Sequence, residues 1–99
     1  MTLVIFEIEA REGGVDELKA ALKGALPDTR AYPGCQELSV FADPDGKTFM
    51  IVERWDSKEA YEEYLAWRAD PGPGFASLAV LASLIVGEPT IRYLEPAGL

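Results

Sequence analysis

Asp43-Pro44-Asp45-Gly46-Lys47-Thr48-Phe49-Met50-Ile51-Val52-Glu53-Arg54-Trp55 is the stretch on which the fold turns. Its first four residues read as a hairpin connection. Residues 47–55 then read as a strand, rich in β-branched and aromatic side chains. Alternation puts Phe49, Ile51, Glu53 and Trp55 on one face and Met50, Val52 and Arg54 on the other. Before the turn, residues 36–42 alternate Leu38 and Val40 against Glu37, Ser39 and Phe41, a second strand. A tight turn can only reverse the chain, so the two strands pair antiparallel.

Outward from this hairpin the pattern is regular. Residues 3–10 form a first strand on which Leu3 and Ile5 oppose Val4, Phe6 and Ile8. Gly13-Gly14 breaks it. Val15, Leu18, Ala21, Leu22 and Ala25 have helical spacing over residues 15–26, and Pro27 is expected to close that helix. Asp56 and Glu59 have capping-box spacing and predict a second helix to about Arg68. Asp70-Pro71-Gly72-Pro73-Gly74 ends it, residues 75–84 can make another short helix, and residues 90–94 are a last strand. The order β-α-β-β-α-β is that of a ferredoxin-like α+β fold with an antiparallel sheet, in one domain spanning residues 1–99.

Bulk composition narrows the function. Net charge is −8, from 17 acidic and 9 basic side chains, and no run of Lys or Arg offsets it, so nucleic acid and anionic membrane surfaces are unsuitable partners. No apolar run approaches a membrane span, and residues 1–10 lack the basic opening of a signal peptide, so a cytoplasmic protein is expected. Cys35 is the only cysteine and there is no histidine. An imidazole base is therefore excluded, and a zinc site is not expected.

Both faces of the first and third strands carry large apolar groups. Helices cover one face of a four-stranded sheet, and the other is too apolar for water. A homodimer with its sheets packed face to face would bury it. The alternative is a C-terminal segment folded back over the open face.

Residues 32–68 carry a family resemblance. Tyr32-Pro33-Gly34-Cys35 leads into the second strand, Glu53-Arg54-Trp55 gives a Glu-x-Trp ending to the third, and Glu59-Ala60 opens the helix after it. In this order and spacing the segments resemble the antibiotic biosynthesis monooxygenase domain, and residues 75–94 fit that family's last helix and strand. The resemblance implies a dimeric α+β barrel. It also implies a range of activities: some relatives oxidise electron-rich aromatic or quinol substrates with O₂ and no metal, flavin or haem, while others degrade haem or process small signalling molecules. Fold does not choose among them. Relatives often place a histidine on the second helix where this chain has Tyr64, and no proximal histidine exists, which disfavours haem degradation.

Oxygenation without a cofactor needs a substrate that itself gives up an electron, such as a conjugated phenolate or enolate. The protein then holds the ring in an apolar pocket, favours its ionised form and admits O₂. Tyr64, Arg68 and Glu53 are the candidates for that chemistry; Trp55, Tyr61, Trp67 and Arg92 are the candidates for binding substrate. Each also has a structural reading. Trp55 is a flat pocket wall, or it is core or interface. Tyr61, Tyr64, Leu65 and Arg68 share one helical face, which holds a ligand oxygen or is an ordinary amphipathic stripe; the second reading is preferred. Glu53 is a buried base of raised pKa, or, by preference, an ion-pair partner of Arg92 or Arg54. Arg92 binds an anionic substrate or pairs with Glu53 or Glu88. Trp67 lines a pocket mouth or covers a neighbouring surface, and Cys35 is read as packing. Two functions follow: a cofactor-independent monooxygenase of a quinol-like aromatic, or a non-catalytic homodimer binding a small hydrophobic ligand. Open solvent access beside Trp55 and Tyr64 with a buried charge favours the first; a pocket filled by Phe75, Leu78 and Leu81 favours the second.

Overall fold

In the computed structural model, which describes residues 1–99, β1 (Thr2–Glu9) and β3 (Thr48–Trp55) form the centre of a four-stranded sheet. β2 (Cys35–Ala42) and β4 (Thr90–Leu94) are its edges, in the order β2-β3-β1-β4 with every neighbour antiparallel. α1 (Val15–Ala31), α2 (Lys58–Ala69) and the short α3 (Leu78–Ala82) complete the chain. This is the expected β-α-β-β-α-β order with an extra helix before the last strand. No helix is long and apolar enough to cross a membrane.

Alternation decides which side of the sheet the helices cover. Val4, Phe6 and Ile8 of β1 and Phe49, Ile51 and Trp55 of β3 are buried on one face, where Leu18, Leu22 and Leu26 of α1 and Tyr61 and Tyr64 of α2 meet them. At about 25 cal/mol per Å² of apolar surface, this layer is the main stabilising term of the fold. The other face carries Leu3, Ile5 and Val52, half-buried, and Phe41, Met50 and Leu94, exposed. Residues 95–99 are exposed and do not roof it.

Three local expectations are corrected. α1 does not stop at Pro27 but continues to Ala31. Pro27 removes one backbone donor, yet the extra turn adds a buried Thr29 to the stripe of Leu18, Leu22 and Leu26. The helix ends where Tyr32 turns extended ahead of Pro33, as a residue before proline must. The cap of α2 is Ser57, whose Oγ accepts from the Ala60 N–H at 3.1 Å. Asp56 instead accepts from Gln36 Nε2 at 2.9 Å. α3 covers five residues rather than ten, because Ser77 starts it and Ser83 ends it. Between α1 and β2, Gly34 has φ +96°, and a Cβ there would lie 2.9 Å from Ala60 Cβ, so only glycine fits.

Candidate active site

Glu53 owes its position to strand alternation alone. It lies on the helix-facing side of β3, between Val4 of β1 and Leu38 of β2 in register, and is 4 % exposed. Its Oε1 accepts a hydrogen bond from Trp55 Nε1 at 3.1 Å. Burial pushes its carboxyl pKa up to about 7, against the smaller opposing effect of the Trp55 hydrogen bond. Neither arginine named as a partner reaches it. Arg54 projects from the opposite face and pairs with Glu37 at 3.4 Å. Arg92 is exposed on that face, opposite Ile5.

Arg68 is the second buried charge, at 4 % exposure. It is held from three elements. Its Nε donates to the Tyr64 hydroxyl at 3.1 Å, one turn back on α2. Its Nη2 donates to the Ala25 carbonyl at 3.1 Å and to Thr29 Oγ1 at 2.8 Å, both on α1. Its Nη1 donates to the Ala76 carbonyl at 3.0 Å, in the segment before α3. Thr29 Oγ1 and the Tyr64 hydroxyl are themselves 2.7 Å apart and share a hydrogen bond. Every acceptor around the guanidinium is neutral.

Glu53, Tyr61, Tyr64, Thr29 and Arg68 line one cavity of about 70 Å³, whose remaining wall is mostly apolar and includes Phe6, Leu22, Ile51, Leu65, Leu78 and Leu81. Tyr61 is almost fully buried, and burial, then the Glu53 charge, push its hydroxyl well above the ordinary tyrosine range. It stays neutral wherever the protein is folded and working. Burial, then Glu53, also push the Cys35 thiol up, so a nucleophilic thiolate is disfavoured. No cluster of three or more His, Cys, Asp or Glu side chains that would hold a metal occurs.

Of the residues nominated from sequence, Glu53, Tyr61, Tyr64 and Arg68 come together. Trp55 is wholly buried behind Glu53 and does not line the cavity. Trp67 packs on Tyr32 at 5.2 Å and Phe75 at 5.1 Å between ring centroids, outside the lining. Thr29 was not nominated. Its signal was the spacing from Leu22, seven residues on, which becomes visible only once α1 runs past Pro27.

A buried carboxyl whose pKa lies near neutrality can take a proton from a weakly acidic substrate. A desolvated guanidinium can hold the anion that results. The apolar wall suits a small ring. Residues 1–69 match the sequence pattern of the family described as antibiotic biosynthesis monooxygenase. No curated protein matches the chain. A solved structure of an antibiotic biosynthesis monooxygenase superposes with a TM-score of 0.81 at 19 % identity, covering 98 % of this chain and 99 % of the other. A candidate antibiotic biosynthesis monooxygenase from Deinococcus radiodurans gives 0.78 at 24 % identity, covering 100 % and 95 %. A protein of Mycobacterium tuberculosis gives 0.73 at 23 %, covering 99 % and 96 %. At these identities the likeness is one of fold.

Proposed function

The chain belongs to the antibiotic biosynthesis monooxygenase family, and on that footing we propose that it oxidises a small electron-rich phenolic or quinol-like substrate with O₂, without a cofactor. The observation that carries this reading is that two buried ionisable groups, Glu53 and Arg68, line one apolar cavity. In the proposed sequence ionised Glu53 removes a proton from an activated carbon beside the phenolic ring. Arg68, steadied by Tyr64 and Thr29, holds the oxygen on which the resulting charge is delocalised. The carbanion passes one electron to O₂, the radical pair closes to a peroxide anion, and Glu53 returns its proton to give the hydroperoxide. Loss of water from the hydroperoxide leaves a carbonyl, so one oxygen atom enters the product and the other leaves in water. A second copy of the chain covers the open sheet face and completes a barrel.

The test is oxygen consumption by metal-free protein across a panel of anthrones and hydroquinones, with ¹⁸O₂ supplied to any active anthrone. The expected result is uptake above the uncatalysed rate with one labelled oxygen in the product, abolished in Glu53→Gln. No uptake across the panel rejects the enzyme. Leu78 and Leu81 line the cavity while Phe75 does not; the two leucines support a second reading, a non-catalytic binder of a small hydrophobic ligand. Saturable binding without uptake would select it.

A further inference from the structure

We infer that α3 and the segment leading to it form a lid over the cavity, latched by Arg68 onto the Ala76 carbonyl, and that the latch yields to an aromatic ligand bearing an anionic oxygen. The inference rests on the reading above that the cavity takes a substrate ring.

The first argument is size. About 70 Å³ is roughly half of the ~150 Å³ cavity that holds one benzene ring. A ring is buried there only if part of the wall moves. α3 is the part least tied down. It contributes Leu78, Val80 and Leu81 to the lining, yet none of its residues is buried. Between residues 71 and 83 one hydrogen bond reaches another element, that from Arg68 Nη1 to the Ala76 carbonyl. The others are donated by Val80, Leu81, Ser83 and the adjoining Leu84 to acceptors inside the segment, and the next tie, from the Arg11 N–H to the Leu84 carbonyl at 3.5 Å, belongs to the anchor downstream.

The ends of the segment are built differently from its middle. Upstream lies Pro71-Gly72-Pro73-Gly74, with Gly72 at φ +79° and Gly74 at φ +88° and open space around both. Downstream, Ile85 is 1 % exposed and bridged to Ala10, and the Val86 N–H bonds the Glu9 carbonyl at 2.8 Å. A free pivot and a fixed anchor bracket the roof.

The latch chooses the ligand. Arg68 is a buried cation with four hydrogen bonds to neutral oxygens and no carboxylate. A hydrogen bond between two ions is roughly twice as strong as one to a neutral acceptor. An anionic oxygen therefore displaces the Ala76 carbonyl from Nη1, while the bonds to Ala25 and Thr29 keep the guanidinium in place. Displacement frees the lid and fills the space with one event.

Two measurements test this, and neither needs turnover. In amide hydrogen exchange, residues 76–84 of Arg68→Gln should exchange about ten-fold faster than in wild type while β1 and β3 are unchanged. Ser77→Ala, which loosens the α3 cap without touching Arg68, should do the same. Uniform acceleration through the sheet in Arg68→Gln with no response to Ser77→Ala, or no response in either variant, overturns the lid. In direct binding, 1-naphthoate should bind wild type about ten-fold tighter than the neutral 1-naphthylmethanol, and Arg68→Gln should lose that preference. Equal affinities in wild type overturn the anion latch. A protein that prefers naphthoate but consumes no O₂ fails as a monooxygenase and stands as an anion-gated pocket.

Discussion

Glu53 and Trp55 stand two residues apart on the same face of β3, and the Trp55 indole N–H donates to the Glu53 carboxyl at 3.1 Å. That contact is the one hydrogen bond to a carboxyl that burial pushes up to about 7. In the unfolded chain the same group titrates near 4.5. Between those values the folded state holds a proton that the unfolded state has released, so stability falls as pH rises through the window. The penalty is absent below pH 4.5 and complete above about 7, and it amounts to roughly 3 kcal/mol. Glu53→Gln should therefore raise the urea midpoint at pH 8 and change it little at pH 4. An equal offset at both pH values would show that folding does not raise the Glu53 pKa. The proposed catalysis runs the other way: a base works when ionised, so kcat/KM should climb through the same window in which stability declines.

Trp55→Phe extends the argument. It removes the one contact that lowers the Glu53 pKa and leaves the desolvation intact. The carboxyl should then titrate higher than in wild type, read from its ¹³C resonance across pH. An unchanged midpoint would mean that the indole N–H does not influence the carboxylate.

The arrangement around Arg68 predicts a different kind of loss. Thr29→Val deletes a hydroxyl that accepts from Nη2 at 2.8 Å and shares a hydrogen bond with Tyr64 at 2.7 Å. A buried hydrogen bond to a charged group contributes about 1.5–3 kcal/mol, and valine keeps the shape while leaving Nη2 with the Ala25 carbonyl alone. The unfolding free energy should drop by about that amount in denaturant titrations. Tyr64→Phe should cost a similar amount, and the double variant less than the sum, because the two hydroxyls serve one guanidinium.

Much of this site was legible in the sequence and part of it was not, for physical reasons. The period of two along residues 47–55 puts Glu53 with Phe49, Ile51 and Trp55 and Arg54 on the other face, but with apolar groups on both it does not say which face the helices cover. The i, i+3, i+7 spacing of Tyr61, Tyr64 and Arg68 put them on one stripe. Cross-strand register is not a local property, so the suggested partnership of Glu53 with Arg92 could not be checked until Arg92 was placed opposite Ile5. Pro27 misled most. Its local cost to a helix is real, yet α1 runs on to Ala31 and buries Thr29 in the added turn, so a helix stopped at Pro27 hides Thr29. The same competition explains the cap of α2. Asp56 and Ser57 both have capping side chains, and the bond that Asp56 makes to Gln36 on another strand leaves Ser57 in the role.

That last distinction is measurable. Ser57→Ala should lower stability by about 1 kcal/mol through loss of the N-cap, and Asp56→Ala by much less, since its partner is exposed. Reversed magnitudes in thermal unfolding would restore Asp56 as the cap.

The open face of the sheet carries the proposed pairing of two chains. Ile5 and Val52 are paired in register at its centre, with Leu3, Met50, Phe41 and Leu94 around them. Arg54, bonded to Glu37, and Arg92 lie among the apolar groups. Arg92 stands opposite Ile5 and Glu7 opposite Met50, so the face is an apolar patch interleaved with charges of both signs, and a two-fold axis near Ile5 would set each patch against its own copy. Ile5→Glu puts an unpaired carboxylate at that centre. Burying it costs several kcal/mol, and every 1.4 kcal/mol weakens association ten-fold. Sedimentation should give a two-chain species for wild type and a single chain for Ile5→Glu at the same concentration, with unchanged far-UV circular dichroism. Val86→Glu, exposed and outside the sheet, should leave the pair intact. A wild type that sediments as one chain at every concentration would mean that this face meets water, and the barrel would have to be abandoned.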